Sequence, residues 1–329
     1  GEDFLVARVR RRILRQSFIG GIYTGRSTRD QNGIPMRSTA GFDFRLATST
    51  FRGNQNLEAS GFMALTTVVE GSGDNLSYGG RVGYPNDTWD ASVAYMEVQK
   101  NVDPAVGFLP RRDFRRYQPQ LRYNPRPRAH PYIRRFGFGG DFDIYTDTAN
   151  RLQTQEFDFT ATRVELHSGD NVEVNVVPSY ERLDEPFEIS PGVVLPAGAE
   201  YRFTRFRVSG STANKRVVSV QPRVEWGSFL SGHRREMVIG VGLRPRPGIT
   251  VNLNYEFNDV DLPEGAFETT LYRMIADTQF SPFMYLVNNV QYDSVSRLLG
   301  WQSRFRWILR PGNDIFFVYT HNWIDDVDP

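Results

Sequence analysis

The stretch that decides the fold is Ile249-Thr-Val251-Asn-Leu253-Asn-Tyr255-Glu-Phe257, in which every second residue is apolar. Successive side chains of a β-strand project to opposite faces of a sheet, so this order predicts a strand with one apolar and one polar face. The same alternation recurs along the chain, whereas the three-to-four-residue spacing of an amphipathic helix is almost absent. The sequence therefore predicts an all-β protein.

About eighteen stretches show this alternation, and turn signals such as Pro85-Asn86-Asp87 and Arg246-Pro247-Gly248 separate many of them. The predicted strands comprise residues 3–13, 16–25, 38–48, 56–69, 77–84, 88–99, 114–125, 132–146, 150–167, 171–184, 198–212, 215–229, 232–245, 248–259, 265–279, 282–294, 298–311 and 314–324. Longer links contain residues 26–37, 100–113, 185–197 and 259–265. No composition break divides the chain, so we predict one domain over residues 1–329.

The length of these strands favours a barrel over soluble β folds. Many reach 11–15 residues, whereas strands of soluble domains average about five or six. A propeller would repeat a motif every 40–50 residues or so, and no such repeat is present. A long meander must close to remove its edges, above all in hydrocarbon. We therefore predict a closed antiparallel up-and-down transmembrane β-barrel of about 18 strands (range 16–18) in the bacterial outer membrane.

The amino-acid composition argues against several classes of function and site. The 39 basic and 38 acidic residues nearly balance, which argues against nucleic-acid binding as the main role. The chain has no cysteine, which excludes disulfides, thiolate zinc sites and a cysteine nucleophile. No stretch of 18 apolar residues predicts a membrane-spanning helix. The N-terminal Gly1-Glu2-Asp3-Phe4 has no signal-peptide features, so we expect a processed chain or the C-terminal part of a longer precursor.

If the apolar faces contact lipid, the other faces line a lumen, which water can fill. If the charged side chains of these faces were instead buried in the core of a soluble protein, nearly all of them would have to form ion pairs, at a high cost in desolvation. Aromatic residues near strand ends, such as Trp89, Tyr123 and Trp301, resemble the interfacial girdles of membrane barrels. The predicted lumen side chains are Asp43, Arg45, Glu58, Arg122, Asp141, Asp143, Glu156, Asp158, Glu173, Arg205, Arg207, Arg223, Glu225, Arg273, Arg304 and Arg306.

About 18 strands leave room for an aqueous channel, so we predict a pore for small hydrophilic or anionic solutes. Four arginines, Arg111, Arg112, Arg115 and Arg116, occupy six positions of one link. Folded into the lumen they would form an anion-attracting constriction, and the alternative is a solvated basic rim paired with nearby carboxylates. Further pore-lining candidates are Arg205, Arg207, Arg223, Arg304, Arg306, Asp141 and Asp143.

Two other links carry separate predictions. The stretch from Leu183 to Gly198 is acidic and then apolar, and Val193, Val194 and Leu195 predict packing as a plug or against another domain. The stretch Asn258-Asp-Val-Asp-Leu-Pro-Glu-Gly265 has alternating carboxylates but lacks the twelve-residue spacing of a calcium loop. The long links follow even-numbered strands, which with a periplasmic N-terminus would place them on the periplasmic side.

The residues do not indicate an enzyme. The four histidines lack metal-ligand spacing, and neither a Gly-x-Ser-x-Gly elbow nor a phosphate-binding glycine loop is present. We predict neither a metal nor a cofactor, and a barrel-embedded hydrolase is a remote alternative. The second alternative to a pore is a plugged barrel that anchors or docks a binding domain, with lipid and a periplasmic or membrane protein as contacts.

Several longer motifs are similar to one known family. They are Gly107-Phe-Leu-Pro-Arg-Arg-Asp-Phe-Arg-Arg-Tyr117, Tyr180-Glu-Arg-Leu-Asp-Glu-Pro-Phe-Glu-Ile189, Tyr201-Arg-Phe-Thr-Arg-Phe206, Phe257-Asn-Asp-Val-Asp-Leu-Pro-Glu-Gly-Ala-Phe267 and Arg304-Phe-Arg-Trp-Ile-Leu-Arg-Pro-Gly-Asn-Asp-Ile-Phe-Phe-Val-Tyr319. They resemble the C-terminal outer-membrane barrel of a family of uncharacterised bacterial envelope proteins. In that family the barrel follows a domain that resembles a family-9 carbohydrate-binding module. The resemblance, which covers nearly the whole chain, implies an outer-membrane barrel and an upstream periplasmic domain, but no functional residues.

Overall fold

The computed structural model describes residues 2–28, 37–67 and 73–324. Within them the regular structure is β-strand, and no helix is long and apolar enough to cross a membrane. The described strands are β1 (Glu2–Arg12), β2 (Phe18–Thr28), β3 (Arg37–Phe51), β4 (Gln55–Thr66), β5 (Leu76–Pro85), β6 (Trp89–Val98), β7 (Phe114–Tyr123), β8 (Ile133–Thr146), β9 (Leu152–Leu166), β10 (Asn171–Arg182), β11 (Phe187–Ser190), β12 (Val193–Leu195), β13 (Glu200–Ser211), β14 (Val218–Phe229), β15 (Gly232–Arg246), β16 (Ile249–Leu262), β17 (Gly265–Ser281), β18 (Met284–Asp293), β19 (Leu298–Arg310) and β20 (Asn313–Ile324).

Eighteen of the described strands belong to one hydrogen-bonded sheet, and β11 and β12 form a separate two-stranded hairpin. The chain divides into two compact units, which are described in turn. Unit 1 comprises Gly1–Pro125, Phe138–Phe159 and Ser179–Arg182. Unit 2 comprises Arg126–Gly137, Thr160–Pro178 and Leu183–Pro329.

In unit 1 the strands from β1 to β8 pair antiparallel with their neighbours in the chain. The register places Phe42 opposite Met63 and Met63 opposite Tyr78, so that apolar side chains form a row across three strands. On the other face Arg45 lies opposite Ser60, which lies opposite Arg81. Each strand therefore contributes to one apolar and one polar face, as period-two alternation requires.

Unit 2 repeats this arrangement from β13 to β20. One row of the apolar face crosses six strands and comprises Val220, Val241, Leu253, Met274, Val290 and Trp301. One row of the polar face comprises Gln221, Gly240, Asn254, Arg273, Gln291, Gly300 and Asn322. A one-residue slip in any pair would exchange these rows, so the hydrophobic pattern specifies the register.

The apolar faces are largely exposed. In unit 1 Val82 and Val93 are 57% and 61% exposed, and in unit 2 Tyr272 is 52% exposed. The buried hydrophobic residues of the described chain concentrate instead in two small clusters at strand ends. The apolar surface of a soluble sheet normally packs against a second layer, and the described chain places no such layer over these side chains.

The predicted all-β class and the eighteen long strands are confirmed, since each predicted end lies within three residues of an observed one. Two predicted links were wrong in part. The 259–265 link is mostly strand, because β16 continues to Leu262 and only residues 263–264 form the turn. The 185–197 link contains β11 and β12, which are too short to be detected by alternation. Residues 29–36 of the 26–37 link lie outside the described chain.

Candidate functional site

The polar face of unit 2 is crossed by an arginine–glutamate network. Glu225 of β14 and Glu236 of β15 lie directly opposite each other, and both are buried. Two like charges in that position would repel, but each carboxylate is ion-paired with two guanidinium groups that compensate for repulsion and desolvation. The donors are Arg205 and Arg207 for Glu225, at 2.9 and 2.8 Å, and Arg223 and Arg234 for Glu236.

The same face carries two further predicted pore-lining residues near the C-terminus. Arg306 of β19 donates from Nε to Asp314 of β20 at 2.8 Å and also contacts the Tyr285 hydroxyl. The guanidinium of Arg304 stacks over the Phe316 ring at 4.8 Å. The cation–π contact fixes the Arg304 guanidinium on the polar face, and the ion pair with Asp314 fixes that of Arg306.

In unit 1 the polar face carries ion pairs between strands close in sequence. Their side chains are partly exposed, so each pair contributes little stability and mainly fixes side-chain positions. The pairs are Arg8–Asp43 at 2.6 Å, Arg45–Glu58 at 2.8 Å, Arg116–Asp143 at 2.6 Å and Arg122–Asp141 at 2.6 Å.

The loop of residues 99–113, between β6 and β7, folds over the polar face of unit 1 at the strand ends. Thr39 and Thr66 lie opposite each other on this face, and their hydroxyls accept hydrogen bonds from the backbone N–H groups of Ala105 and Asp103, both at 3.2 Å. The Asp103 carboxylate accepts from Arg37 at 2.8 Å and from Arg112 at 3.0 Å. Polar contacts thus tie the 99–113 loop to β3 and β4.

A small apolar cluster holds the other side of the 99–113 loop. Val102 of the loop is buried against Val98 and Phe114, with Leu109 and Tyr145 packed beside them. Val98 and Phe114 are cross-strand partners on the polar face, which therefore becomes apolar where the loop covers it. The loop is therefore fixed both by its ion pairs and by apolar contacts with the ends of the two strands that it connects.

Tyr145 lies between two of the predicted arginines. The guanidinium of Arg111 lies 5.1 Å from the centre of its ring, and that of Arg116 lies 4.9 Å away. Arg111 also donates to the side-chain amide oxygen of Gln153, whereas Arg116 is paired with Asp143. This arginine–tyrosine cluster joins Arg111 of the 99–113 loop to Arg116 of β7 and places two positive charges close together on the polar face.

Arg115 does not join this cluster. Because it precedes Arg116 on the same strand, its side chain lies on the apolar face, where Glu97 is its cross-strand partner. Glu97 is buried and accepts hydrogen bonds from Arg115 at 2.8 Å and from the hydroxyls of Tyr95 and Tyr78 at 2.8 and 3.0 Å. Of the four arginines of the predicted constriction, the structure brings together Arg111 and Arg116, leaves Arg112 with Asp103 and separates Arg115.

The 187–195 hairpin, formed by β11 and β12, covers the strand ends of unit 2. Val193 and Leu195 are buried against Tyr201, Val260 and Leu262. Leu195 is fully buried, and both side chains pack against strands of their own sheet; the predicted role of this stretch as a plug or a contact with another domain stays a prediction. Val194 points the other way on the same short strand and is 49% exposed, so its predicted burial was wrong. The contact surface of the hairpin is the end of its own sheet.

A tight turn beside the 99–113 loop contains a buried acid. Burial would raise the pKa of Asp147, but the backbone N–H and the guanidinium of Arg151 donate to its carboxylate and hold the pKa below its ordinary value. The next residue, Thr148, donates to Asp113 of the loop. The ionised Asp147 therefore orders the turn that contacts the loop.

Sequence reasoning missed Asp103, Tyr145 and Glu97, which decide where the arginines lie. Tyr145 and Glu97 could have been inferred from strand parity, whereas the long-range pairing of Asp103 with Arg37 has no local signal. No group of three or more His, Asp or Glu side chains in the described ranges has the arrangement of a metal site.

No protein-family model matches the chain, and no curated protein sequence matches it.

Proposed function

We propose that the chain closes into an outer-membrane β-barrel of 16–18 strands and forms a pore for small hydrophilic or anionic solutes. The observation that carries the proposal is the two-faced sheet. Its apolar face is exposed over many strands, and its polar face carries arginine–carboxylate pairs. Lipid would cover the first face and water would solvate the second, whereas a soluble protein would have to expose the first.

Aromatic rows on the apolar face support a membrane location. In unit 1 Tyr78, Tyr95 and Tyr117 form one row with ring centres 6.1 and 5.2 Å apart. Towards the opposite strand ends the rings of Trp89 and Tyr123 pack against each other with their centres 4.5 Å apart. Six residues separate Tyr117 from Tyr123 on β7, a span of about 20 Å in an extended strand. Two such rows with aliphatic residues between them are typical of interfacial girdles around an apolar band.

A charged substitution on each face tests the membrane location. We expect Leu253→Arg, on the apolar face, to destabilise the folded chain in lipid vesicles by about 2–4 kcal/mol, because the guanidinium would lie in hydrocarbon. The matched control is Asn252→Arg, the preceding residue on the polar face, which should cost much less. Urea-dependent unfolding in vesicles gives both values, and equal costs would contradict the assignment of the faces.

The arginine–tyrosine cluster supports solute selection rather than a featureless channel. Arg111 belongs to the 99–113 loop that covers the polar face, and Arg116 belongs to β7, which follows the loop; positive charge there would attract anions entering the lumen. In planar bilayers we expect single-channel conductance with anion preference. The double variant Arg111→Ser with Arg116→Ser should lower the anion-to-cation permeability ratio by roughly threefold to tenfold, as expected for about 1 kcal/mol of interaction in a water-like medium.

The control for this variant is Arg15→Ser with Arg52→Ser, which removes the same charge from turns at the opposite ends of the unit 1 strands. It should leave selectivity nearly unchanged. Folded protein is recognised by its heat-modifiable mobility on a gel. A folded, heat-modifiable chain without conductance would overturn the pore.

A second function is favoured by the 99–113 loop and the 187–195 hairpin, both of which lie on polar faces. In this alternative they plug the barrel, which then serves as the membrane anchor of an upstream domain such as the family resemblance implies. Replacing residues 187–195 by a short Gly-Ser turn would then create conductance in a chain that has none. Unchanged conductance in that variant would count against the plug.

A further inference from the structure

Four segments at one end of the unit 2 strands form a contiguous surface, here called the basic rim: residues 126–135, 165–170, 212–217 and 244–248. The backbone N–H of His167 donates to the carbonyl of Tyr132 at 2.9 Å. The Asp170 carboxylate accepts from the N–H of Ala213 at 2.8 Å. The N–H of Arg244 donates to the carbonyl of Val217 at 2.7 Å. The four segments are therefore held side by side.

The basic rim carries a large excess of positive charge. Its carboxylates, Glu165 and Asp170, are both ion-paired, Glu165 with Arg135 at 2.6 Å and Asp170 with Arg216 at 2.6 Å. Its cations are Arg126, Arg128, Arg134, Arg135, Lys215, Arg216, Arg244 and Arg246. Arg128, Lys215 and Arg246 are exposed, so their charge faces solvent or whatever covers this surface.

The opposite ends of the unit 2 strands have the reverse balance. Segments 183–202, 230–235, 259–268 and 293–297 hold nine carboxylates and four arginines. The carboxylates are Asp184, Glu185, Glu188, Glu200, Asp259, Asp261, Glu264, Glu268 and Asp293. The positive charge of the basic rim is therefore a local feature of one strand end, since the chain as a whole is almost neutral.

The basic rim also lies where the apolar face ends. Arg134 is on the same face of β8 as Phe138, which pairs with Tyr123 on the apolar face. Tyr132 is 73% exposed beside it, and Val218, on the apolar face of β14, is exposed next to the 212–217 segment. In a membrane, cations and a tyrosine at the edge of an apolar face lie at headgroup depth.

We propose that the basic rim binds the phosphate groups of anionic lipid headgroups. Guanidinium groups bind phosphate through paired, charge-assisted hydrogen bonds, and several cations at headgroup depth act together. This inference rests on the proposed membrane location and goes beyond it, because a neutral bilayer would satisfy the apolar face alone. It also orients unit 2, with the basic rim at the anionic leaflet.

The test measures lipid preference with the full chain folded into phosphatidylcholine bilayers that contain spin-labelled phosphatidylglycerol or phosphatidylcholine. We expect the unmodified chain to associate with phosphatidylglycerol more strongly, and high salt to remove the difference. The variant Arg128→Ser, Lys215→Ser, Arg246→Ser should lose most of that preference, since each cation near the surface contributes up to about fivefold in association. The control Arg202→Ser, Arg235→Ser, Arg297→Ser removes the same charge from the opposite strand ends and should retain it.

The outcomes separate this inference from the membrane proposal. If the chain does not insert into phosphatidylcholine bilayers, both the membrane location and lipid binding by the basic rim are overturned. Insertion without preference for phosphatidylglycerol, or equal loss in the two triple variants, overturns the basic rim alone. Displacement of the labelled lipid by free glycerol phosphate at equal concentration would also overturn it, because the site would then recognise a soluble phosphate.

Discussion

The 99–113 loop and the 187–195 hairpin both cover the polar face of the sheet, but different interactions hold them in place. Each leaves a strand end and lies on the polar face of its own unit. The 99–113 loop is held by polar contacts, in which Asp103 accepts from two partly exposed arginines, and by the small apolar cluster around Val102. The hairpin is held by the burial of Val193 and Leu195. Partly exposed ion pairs contribute little and are screened by salt, whereas apolar burial contributes more and is not.

This difference indicates which segment can move. The ion pairs of Asp103 with Arg37 and Arg112 are screened by salt and break at little cost, so the part of the 99–113 loop around Asp103 can respond to salt or to a bound anion. A hairpin whose central leucine is fully buried opens only at the cost of exposing that leucine. We therefore expect the 99–113 loop to control access to the polar face of unit 1 and the hairpin to be a fixed cover of unit 2.

The largest effect should come from Leu195→Ala. Removing a fully buried leucine side chain costs about 2–5 kcal/mol, depending on how far the cavity collapses. We expect this loss as faster hydrogen exchange of the hairpin amides and as earlier cleavage by a protease. The matched control is Val194→Ala, the preceding residue, which is half exposed and should cost less than about 0.5 kcal/mol. Equal effects of the two substitutions would show that apolar burial does not hold the hairpin.

The strand positions could be predicted because alternation is a local signal repeated over long strands. The long strand β16 is an example, since Ile249 to Phe257 alternates without interruption. The prediction ended β16 too early because Asp259, Asp261 and Pro263 resemble a loop. In the structure Val260 and Leu262 continue the strand, and they are apolar on the polar face because the hairpin covers them. These two apolar residues on the polar face are therefore explained by the hairpin, which is distant from them in the sequence.

The arrangement of the arginines around the 99–113 loop was less predictable, because it also depends on contacts between residues distant in sequence. Strand parity alone shows that Arg115 and Arg116 project to opposite faces, so the predicted constriction contained an internal contradiction that the sequence could have revealed. The position of the 99–113 loop depends on Asp103 reaching Arg37, which is 66 residues away. No local pattern encodes a pairing of that range, and only the register of β3 and β4 brings the two residues together.

A smaller effect is expected from Asp103→Asn, which removes the charge that ties the 99–113 loop to Arg37 and Arg112. Two partly exposed ion pairs contribute about 0.5–2 kcal/mol together. We expect faster hydrogen exchange in the loop, a difference that shrinks as salt is raised, while the hairpin amides stay unchanged. Asp74→Asn is the control, since Asp74 is exposed on a neighbouring loop and its positive φ of 52° suits asparagine. Insensitivity of the loop to both substitution and salt would contradict an electrostatic attachment.

The smallest expected effect is a dependence on pH that the turn beside the 99–113 loop shows and the 187–195 hairpin does not. The pKa of Asp147 is held below its ordinary value, so the folded turn of residues 147–151 binds fewer protons than the unfolded chain. Its contribution to stability is therefore complete above the ordinary value of about 4 and is lost as the pH falls through the lowered pKa. Hydrogen exchange of the Arg151 amide, corrected for its intrinsic rate, should accelerate below about pH 4 in the unmodified chain. In Asp147→Asn the amide should already exchange faster at neutral pH, and acid should add little. If acid instead released the Leu195 amide first, the contrast between a polar and an apolar attachment would be wrong, because no carboxylate holds that leucine within its cluster of Val193, Tyr201, Val260 and Leu262.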